Sequence, residues 1–200
     1  TDTRNIETDA IFFALKGPSF NGNKYALDAL DKGAKYAIVD EVSDLHNDKI
    51  VHVNDVLKTL QDLASFHREY LGLPIVALTG SNGKTIVKEW LYQLLRENYH
   101  IVRSPKSYNS QIGVPLSVWS LHTAHQLAIF EAGISQPGEM KNLAEIINPN
   151  IGILTNIGDA HQEGFSSLQQ KMDEKLLLFK SCKKLIYNAD DELIKNAAED

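Results

Sequence analysis

The residues Leu78 to Thr85, LTGSNGKT, follow the apolar run PIVA and precede IVKEWLYQLLREN. A glycine-flanked lysine at a strand-to-helix junction has the chemistry of a phosphate cradle. Gly80 and Gly83 allow a tight turn and close approach to a ligand, the next helix aims free N–H groups and its positive dipole end at the turn, and Lys84 adds a charge. The spacing G-x-x-G-K-T is shorter than the usual Walker pattern, whose early glycine would fall at Leu78. The alternative is a plain strand-to-helix turn with a solvated lysine.

Glu131 ends the apolar run LAIF, and a carboxylate at the tip of a buried strand can hold a divalent cation beside a phosphate loop. It can instead cap the helix beginning near Pro137. His161, in DAHQEGFSS, stands beyond another strand, whereas His122 and His125 read as surface residues. Lys171 and Lys175 sit at i and i+4 in SSLQQKMDEKLLLFKS; with Asp173 and Glu174 they can form a solvated face, or Lys175 can turn inward beside LLLF. Asn109 and Gln111, in SYNSQIGVPLS, can read a substrate or make a turn. Near the start, Thr3 and Arg4 in TDTR and Lys16 and Gly17 in ALKGPSFNG can grip an anion or serve only as turns.

Positioning these residues requires two kinds of unit. The first part reads as a small α/β unit with strands over 10–15, 35–40 and 49–53 and helices over 24–33 and 55–71, the last with Val56, Leu57, Leu60, Leu63, Ala64 and Leu71 at helical spacing. LGLP at 71–74 breaks the pattern, so domains are expected over 1–73 and 74–200. From Pro74 the elements alternate: strand 75–80, helix 84–97, strand 100–104, helix 113–121, strand 126–133, helix 137–147, strand 151–158, helix 166–181, strand 184–189, then a further helix start. Alternation with near-continuous apolar strands predicts a mostly parallel sheet covered on both faces, with ligands at the carboxyl ends of its strands.

The 200 residues can bury a substantial core, and 43% hydrophobic and 23% charged residues suit a soluble protein. A net charge of -6 argues against a surface that coats nucleic acid, and no run has membrane-spanning length. A cytosolic location and no stable membrane insertion are expected. The single cysteine, Cys182, excludes an internal disulfide and reads as a buried structural thiol. The guanine-reading N-K-x-D motif and the D-x-x-G switch of P-loop GTPases are absent.

Together these residues resemble the Mur ligase superfamily, ATP-dependent amide-bond-forming enzymes of peptidoglycan precursor synthesis. TDTRNIETDAIFFALKGPSFNGNKYALDALDKGAKYAIVD resembles the N-terminal UDP-sugar-binding domain, and TGSNGKT, YNSQIGVPLS, EAGISQPGEM and TNIGDAHQEGFSSLQQKMDEK resemble successive motifs of the central ATPase domain. Ala160 before His161 and EGFSS after it resemble the branch that joins D-alanyl-D-alanine to UDP-N-acetylmuramoyl-tripeptide. A small-molecule kinase, a ligase of the same general chemistry with another substrate (of the folylpolyglutamate type, for example), or a non-catalytic UDP-sugar or nucleotide sensor remain competing readings. The resemblance implies that Gly80, Ser81, Asn82, Gly83, Lys84 and Thr85 hold ATP phosphates and that Thr85, Glu131 and His161 bind Mg²⁺. Lys175 would be carbamylated by CO₂ and support a metal, and Thr3, Arg4, Lys16, Gly17 and Asn109 would contact substrate. It implies catalytic roles for Lys84, His161 and Lys175 in phosphorylation of a carboxylate to an acyl phosphate, followed by amine attack. A monomer is expected. Superfamily members continue with the rest of the central domain and a C-terminal domain, so the chain alone is expected to bind UDP-sugar weakly without turnover.

Overall fold

The structure, a computed structural model, describes residues 2–41, 47–158 and 164–199. The chain divides into two compact units, Thr1–Asp62 and Leu63–Asp200. The division falls inside a helix, before the turn at 72–74, so the helix begins in one unit and ends in the other.

In the first unit, β1 (Ile11–Phe13) leads into an antiparallel hairpin of β2 (Lys16–Gly17) and β3 (Phe20–Asn21). A 3-10 turn over Gly22–Tyr25, capped by the Asn21 side chain, takes up the first part of the expected helix and leaves α1 as Ala26–Asp31. β4 (Tyr36–Val39) and β5 (Ile50–His52) complete a parallel sheet in the order β1-β4-β5. Phe12, Ala14, Ala26, Ala29, Ala37 and Val39 form its core. Small residues at the helix–sheet contact allow α1 to lie close to β4.

Asp55 accepts the Lys58 N–H at 2.8 Å and starts α2 (Val56–Leu71), on which Val56, Leu60 and Ala64 are buried at the predicted spacing. The second unit then runs β6 (Ile75–Thr79), α3 (Lys84–Leu95), β7 (Ile101–Arg103), α4 (Gly113–Trp119), β8 (Leu127–Glu131) and α5 (Glu139–Ile147). It continues with β9 (Ile151–Leu154), α6 (Leu168–Leu176), β10 (Lys184–Ile186) and α7 (Glu192–Glu199). The five strands lie in the order β10-β9-β6-β8-β7, and all four pairings are parallel.

Strand alternation separates two cores. Ile75 and Ala77 of β6 join Val114, Val118, Met140, Leu143 and Met172 from α4, α5 and α6, whereas Val76 and Leu78 pack with Val87, Leu91 and Leu95 of α3. Helices therefore cover both faces, as the near-continuous apolar strands require. The connection leaving β6 passes to β7 on one side, and that leaving β8 returns across β6 to β9 on the other. This reversal places the loops after β6, β8 and β9 around one crevice, the usual ligand position of such sheets.

Two expectations change in detail. The Ser167 side chain accepts the Gln170 N–H, so α6 begins at Leu168 rather than 166, and it tightens into a 3-10 turn at Leu177–Phe179. Cys182 is therefore beyond the helix, in the turn before β10; it is half-buried rather than enclosed, and desolvation pushes its thiol up to about 11. Among the described residues, no helix is long and apolar enough to cross a membrane.

Candidate active site

Backbone geometry explains the glycines of the β6–α3 turn. Gly80 has φ +144°, and a Cβ there would lie 2.0 Å from Thr155 Oγ1 and 2.9 Å from the Asn156 carbonyl oxygen. Gly83 caps α3 at φ 81°, in the left-handed region that favours glycine. The loop after β9 braces the turn: Asn156 O accepts the Ser81 N–H at 2.9 Å, and Asn156 Oδ1 accepts the Asn82 N–H at 2.9 Å. The Thr155 hydroxyl donates to Asn82 O at 2.6 Å, and Ser81 Oγ both donates to Gly158 O and accepts from Gly158 N–H, at 3.0 and 2.9 Å.

Lys84 is the first residue of α3, and its Nζ folds back to donate to Gly80 O at 2.7 Å and Ser81 O at 3.3 Å. Burial pushes its ammonium below the ordinary lysine value; Glu131 opposes that shift and Lys171 adds to it. The neighbouring Thr85 hydroxyl donates to Glu131 Oε2 at 2.9 Å and lies 3.4 Å from Ser107 Oγ. Glu131 is fully buried. It does not cap α5; that end is served by Glu139, which accepts the Ser135 and Gln136 N–H groups, and by Glu174, which accepts those of Gly138 and Met140.

Glu174 thus leaves the solvated face considered above, and so does Lys171, which is 1% exposed and donates to Gly158 O. Lys175 turns inward and is 3% exposed, with Nζ 3.3 Å from Gly80 O. Desolvation, reinforced by Lys84 and Lys171, brings its amine down to about 7. Such an amine is substantially neutral near neutral pH and is therefore a nucleophile.

The structure gathers Gly80–Thr85, Glu131 and Lys175 at the carboxyl edge of the sheet. Asn109 joins them at the end of β8, where its carbonyl accepts the Gly133 N–H at 2.7 Å and its side chain lies beside Gly133. Gln111 donates to Glu139 O at 2.9 Å. His161 lies outside the described residues.

Thr3 and Arg4 occupy the first unit. With Asp2, Phe12, Phe20 and Tyr25 they line a cavity of about 570 Å³, in which the Phe20 and Tyr25 rings stack at 5.7 Å. Arg4 pairs with Asp2 at 2.7 Å. Lys16 and Gly17 form the hairpin strand β2 instead, with Lys16 Nζ 3.0 Å from Asp40.

Sequence reading missed Lys88, Thr155, Asn156 and the Phe20–Tyr25 pair. Lys88 carried a signal, because it falls on the 84, 88, 91, 95 stripe of α3 that includes the buried Leu91 and Leu95 contacts. The loop after β9 lies in the TNIGDAHQ stretch, but its bracing role had no local signal, since its hydrogen bonds reach residues more than seventy positions away.

Among protein families, the Mur ligase middle domain matches residues 78–200. A UDP-N-acetylmuramoyl-tripeptide–D-alanyl-D-alanine ligase of Bacillus subtilis is 32% identical over 98% of this chain and 44% of its own length. The Rickettsia prowazekii protein of that name is 35% identical over 98% of this chain and 43% of its own. Among solved structures, a MurF ligase of Thermotoga maritima in complex with ADP superposes with a TM-score of 0.90 at 29% identity, covering 99% of this chain and 47% of that one. A MurF of Acinetobacter baumannii gives 0.89 at 28%, covering 100% and 46%. The chain spans less than half the length of each of these relatives.

Proposed function

Because this chain belongs to the Mur ligase family, we propose that it forms the UDP-sugar- and ATP-binding part of a cytoplasmic enzyme that joins D-alanyl-D-alanine to UDP-N-acetylmuramoyl-tripeptide in peptidoglycan precursor synthesis. The observation that carries this reading is the convergence of the Gly80–Thr85 turn, Glu131 and the depressed amine of Lys175 on one sheet edge. Relatives bearing that name, and a neighbour whose structure contains ADP, support it.

The turn would receive the ATP phosphates. Its amides and the α3 dipole favour anions, and Lys84 would exchange its carbonyl partners for phosphate oxygens. Thr85 and Glu131 fit Mg²⁺: both present hard oxygens, and Glu131 touches the Thr85 hydroxyl directly. Among the described residues no cluster of three or more His, Cys, Asp or Glu side chains could hold a metal. The ion would be shared between these oxygens and the phosphates of the nucleotide. When bound, Mg²⁺ neutralises charge on the transferring phosphoryl group. Lys175 fits carbamylation, since its neutral amine can attack CO₂, lose a proton and become an anionic oxygen donor.

In the reaction, a tripeptide carboxylate oxygen attacks the γ-phosphorus and ADP leaves; the amine of D-alanyl-D-alanine then attacks the acyl carbon of the acyl phosphate, inorganic phosphate leaves, and the nitrogen gives up a proton as the amide forms. Lys84 stabilises the phosphoryl charge, and Asn109 lies where it can orient the substrate carboxylate. His161 is proposed as a further metal ligand. In the first unit, the aromatic faces of Phe20 and Tyr25 suit a nucleobase and Arg4 suits a diphosphate, with Thr3 beside them. Lys16 and Gly17 would contact the same UDP-sugar.

The test is a mass-spectrometric product assay on the complete protein that carries this chain, with ATP, Mg²⁺, UDP-N-acetylmuramoyl-tripeptide and D-alanyl-D-alanine. Pentapeptide product dependent on every component is the expected result. ADP released without amide formation, or another amino acid accepted instead, would overturn the substrate assignment.

A further inference from the structure

Lys88 lies one helical turn beyond Lys84 and exposes no surface. An ammonium removed from water needs acceptors for its hydrogens. Lys88 Nζ donates to Ser104 O at 2.7 Å, to Lys106 O, and to Glu131 Oε1 at 3.3 Å. The two oxygens of Glu131 are thereby divided, Oε1 to Lys88 and Oε2 to the Thr85 hydroxyl. Ser104 closes the circuit, because its Oγ accepts the Glu131 N–H at 3.2 Å. One side chain on α3 therefore fixes the end of β7, the loop that follows it and the carboxylate at the end of β8.

We propose that Lys88 is a positioning residue for the metal-binding end of the site. It holds the Glu131 rotamer so that Oε2 stays turned toward Thr85, and it anchors residues 104–106 so that Ser107 stays against the Thr85 hydroxyl. The inference rests on the reading that Thr85 and Glu131 hold the magnesium of a bound nucleotide. Groups that hold a metal-ligating carboxylate from behind contribute to metal affinity without touching the ion. A buried ion pair contributes little net stability over an apolar replacement, so stability alone does not account for a charge at this position.

The experiment is calorimetric titration of ADP into this chain with and without Mg²⁺, comparing the unaltered protein with Lys88→Met, Lys88→Gln, Glu131→Gln and the Lys88→Met/Glu131→Gln double variant. Mg²⁺ is expected to strengthen ADP binding by the unaltered chain. Lys88→Met is expected to lose about tenfold or more of that strengthening. Its Mg²⁺-free ADP affinity should stay within about twofold, and the double variant should be no weaker than Glu131→Gln, because both changes act on one carboxylate. If Lys88→Met does not fold, Lys88→Gln is read in the same way, since its amide can still donate to the backbone carbonyls.

Equal losses with and without Mg²⁺ would mean a purely structural role and would overturn the proposal, as would an undiminished Mg²⁺ effect in Lys88→Met. If Glu131→Gln loses the effect and Lys88→Met retains it, only the role of Lys88 falls. If the unaltered chain or Glu131→Gln shows that Mg²⁺ acts without Glu131, or not at all, the underlying metal assignment falls too.

Discussion

The two units place their cations in opposite environments. In the first, Arg4 and Lys16 are exposed and paired with the carboxylates of Asp2 and Asp40. In the second, Lys84 is half-buried, Lys88, Lys171 and Lys175 are buried, and all four donate to backbone carbonyls, Lys88 reaching the Glu131 carboxylate as well. Exposed pairs are screened by water and add little to stability, whereas buried ammonium groups are costly unless all their hydrogens are accepted. The difference teaches that the second unit sacrifices stability to concentrate positive charge at one sheet edge. The first keeps its charges in water, Arg4 at the edge of a cavity and Lys16 on the hairpin.

The largest effect should come from disturbing the frame around the buried cations. Gly80→Ala would drive a methyl into Thr155 and Asn156 at a φ that L residues rarely adopt, and is expected to destabilise the chain by on the order of 3 kcal/mol in urea denaturation. A stability within error of the unaltered chain would show that the turn tolerates a side chain and does not depend on close approach.

Next in size is the loss of one charge. Lys84→Met removes a partner expected to supply charge-assisted hydrogen bonds to phosphate, so ADP should bind roughly thirtyfold more weakly, with the fold retained. Unchanged ADP affinity by calorimetry would sink the phosphate-cradle reading.

The contrast also predicts responses to pH in two separate windows. Lys175 is lowered from 10.5 to about 7 in the folded chain. Between those values the unfolded amine binds a proton that the folded one does not, so this lysine makes stability rise with pH across the window. Lys175→Met should flatten that rise, measured as denaturation midpoints at the two ends of the window. At fixed dissolved CO₂, an isotope-labelled carbamate resonance should grow as pH passes about 7 and be absent from Lys175→Met. Asp40 gives a slope of the same sign in an acidic window, from stabilisation of its charged form rather than from desolvation of a cation. Burial would raise its carboxyl, but hydrogen bonds from Asn23 and Lys16 outweigh that and hold it below its ordinary 3.8. Its contribution is present above 3.8 and is lost as pH falls through the lower folded value, so Asp40→Asn should blunt acid unfolding.

The smallest effect belongs to the exposed pair. Arg4→Ala should leave the thermal midpoint unchanged while weakening UDP binding, because its charge is solvated and its proposed use is recognition. A large drop in midpoint without a change in UDP binding would reverse that assignment.

Much of this was legible along the chain. The order of strands and helices from Ile75 onward, the glycine turn and the placing of Glu131 at a strand tip follow from local pattern, since apolar runs and glycine positions are properties of neighbouring residues. The start of α6 was not, because Ser166 and Ser167 are both capping residue types and only the hydrogen bond from the Gln170 N–H to the Ser167 side chain chooses between them. Nor was Glu174, whose position beside Asp173 reads as solvent-facing until α5 is brought against it.

By itself, then, the sequence determined the alternating architecture and the chemistry available at its strand ends. Only the tertiary structure decided which charges leave water and what they touch. Lys175 meets Gly80 across 95 positions, and Lys88 meets Glu131 across 43. Burial and charge proximity, which set a lysine's protonation and a carboxylate's orientation, arise from packing between distant segments and have no local signature.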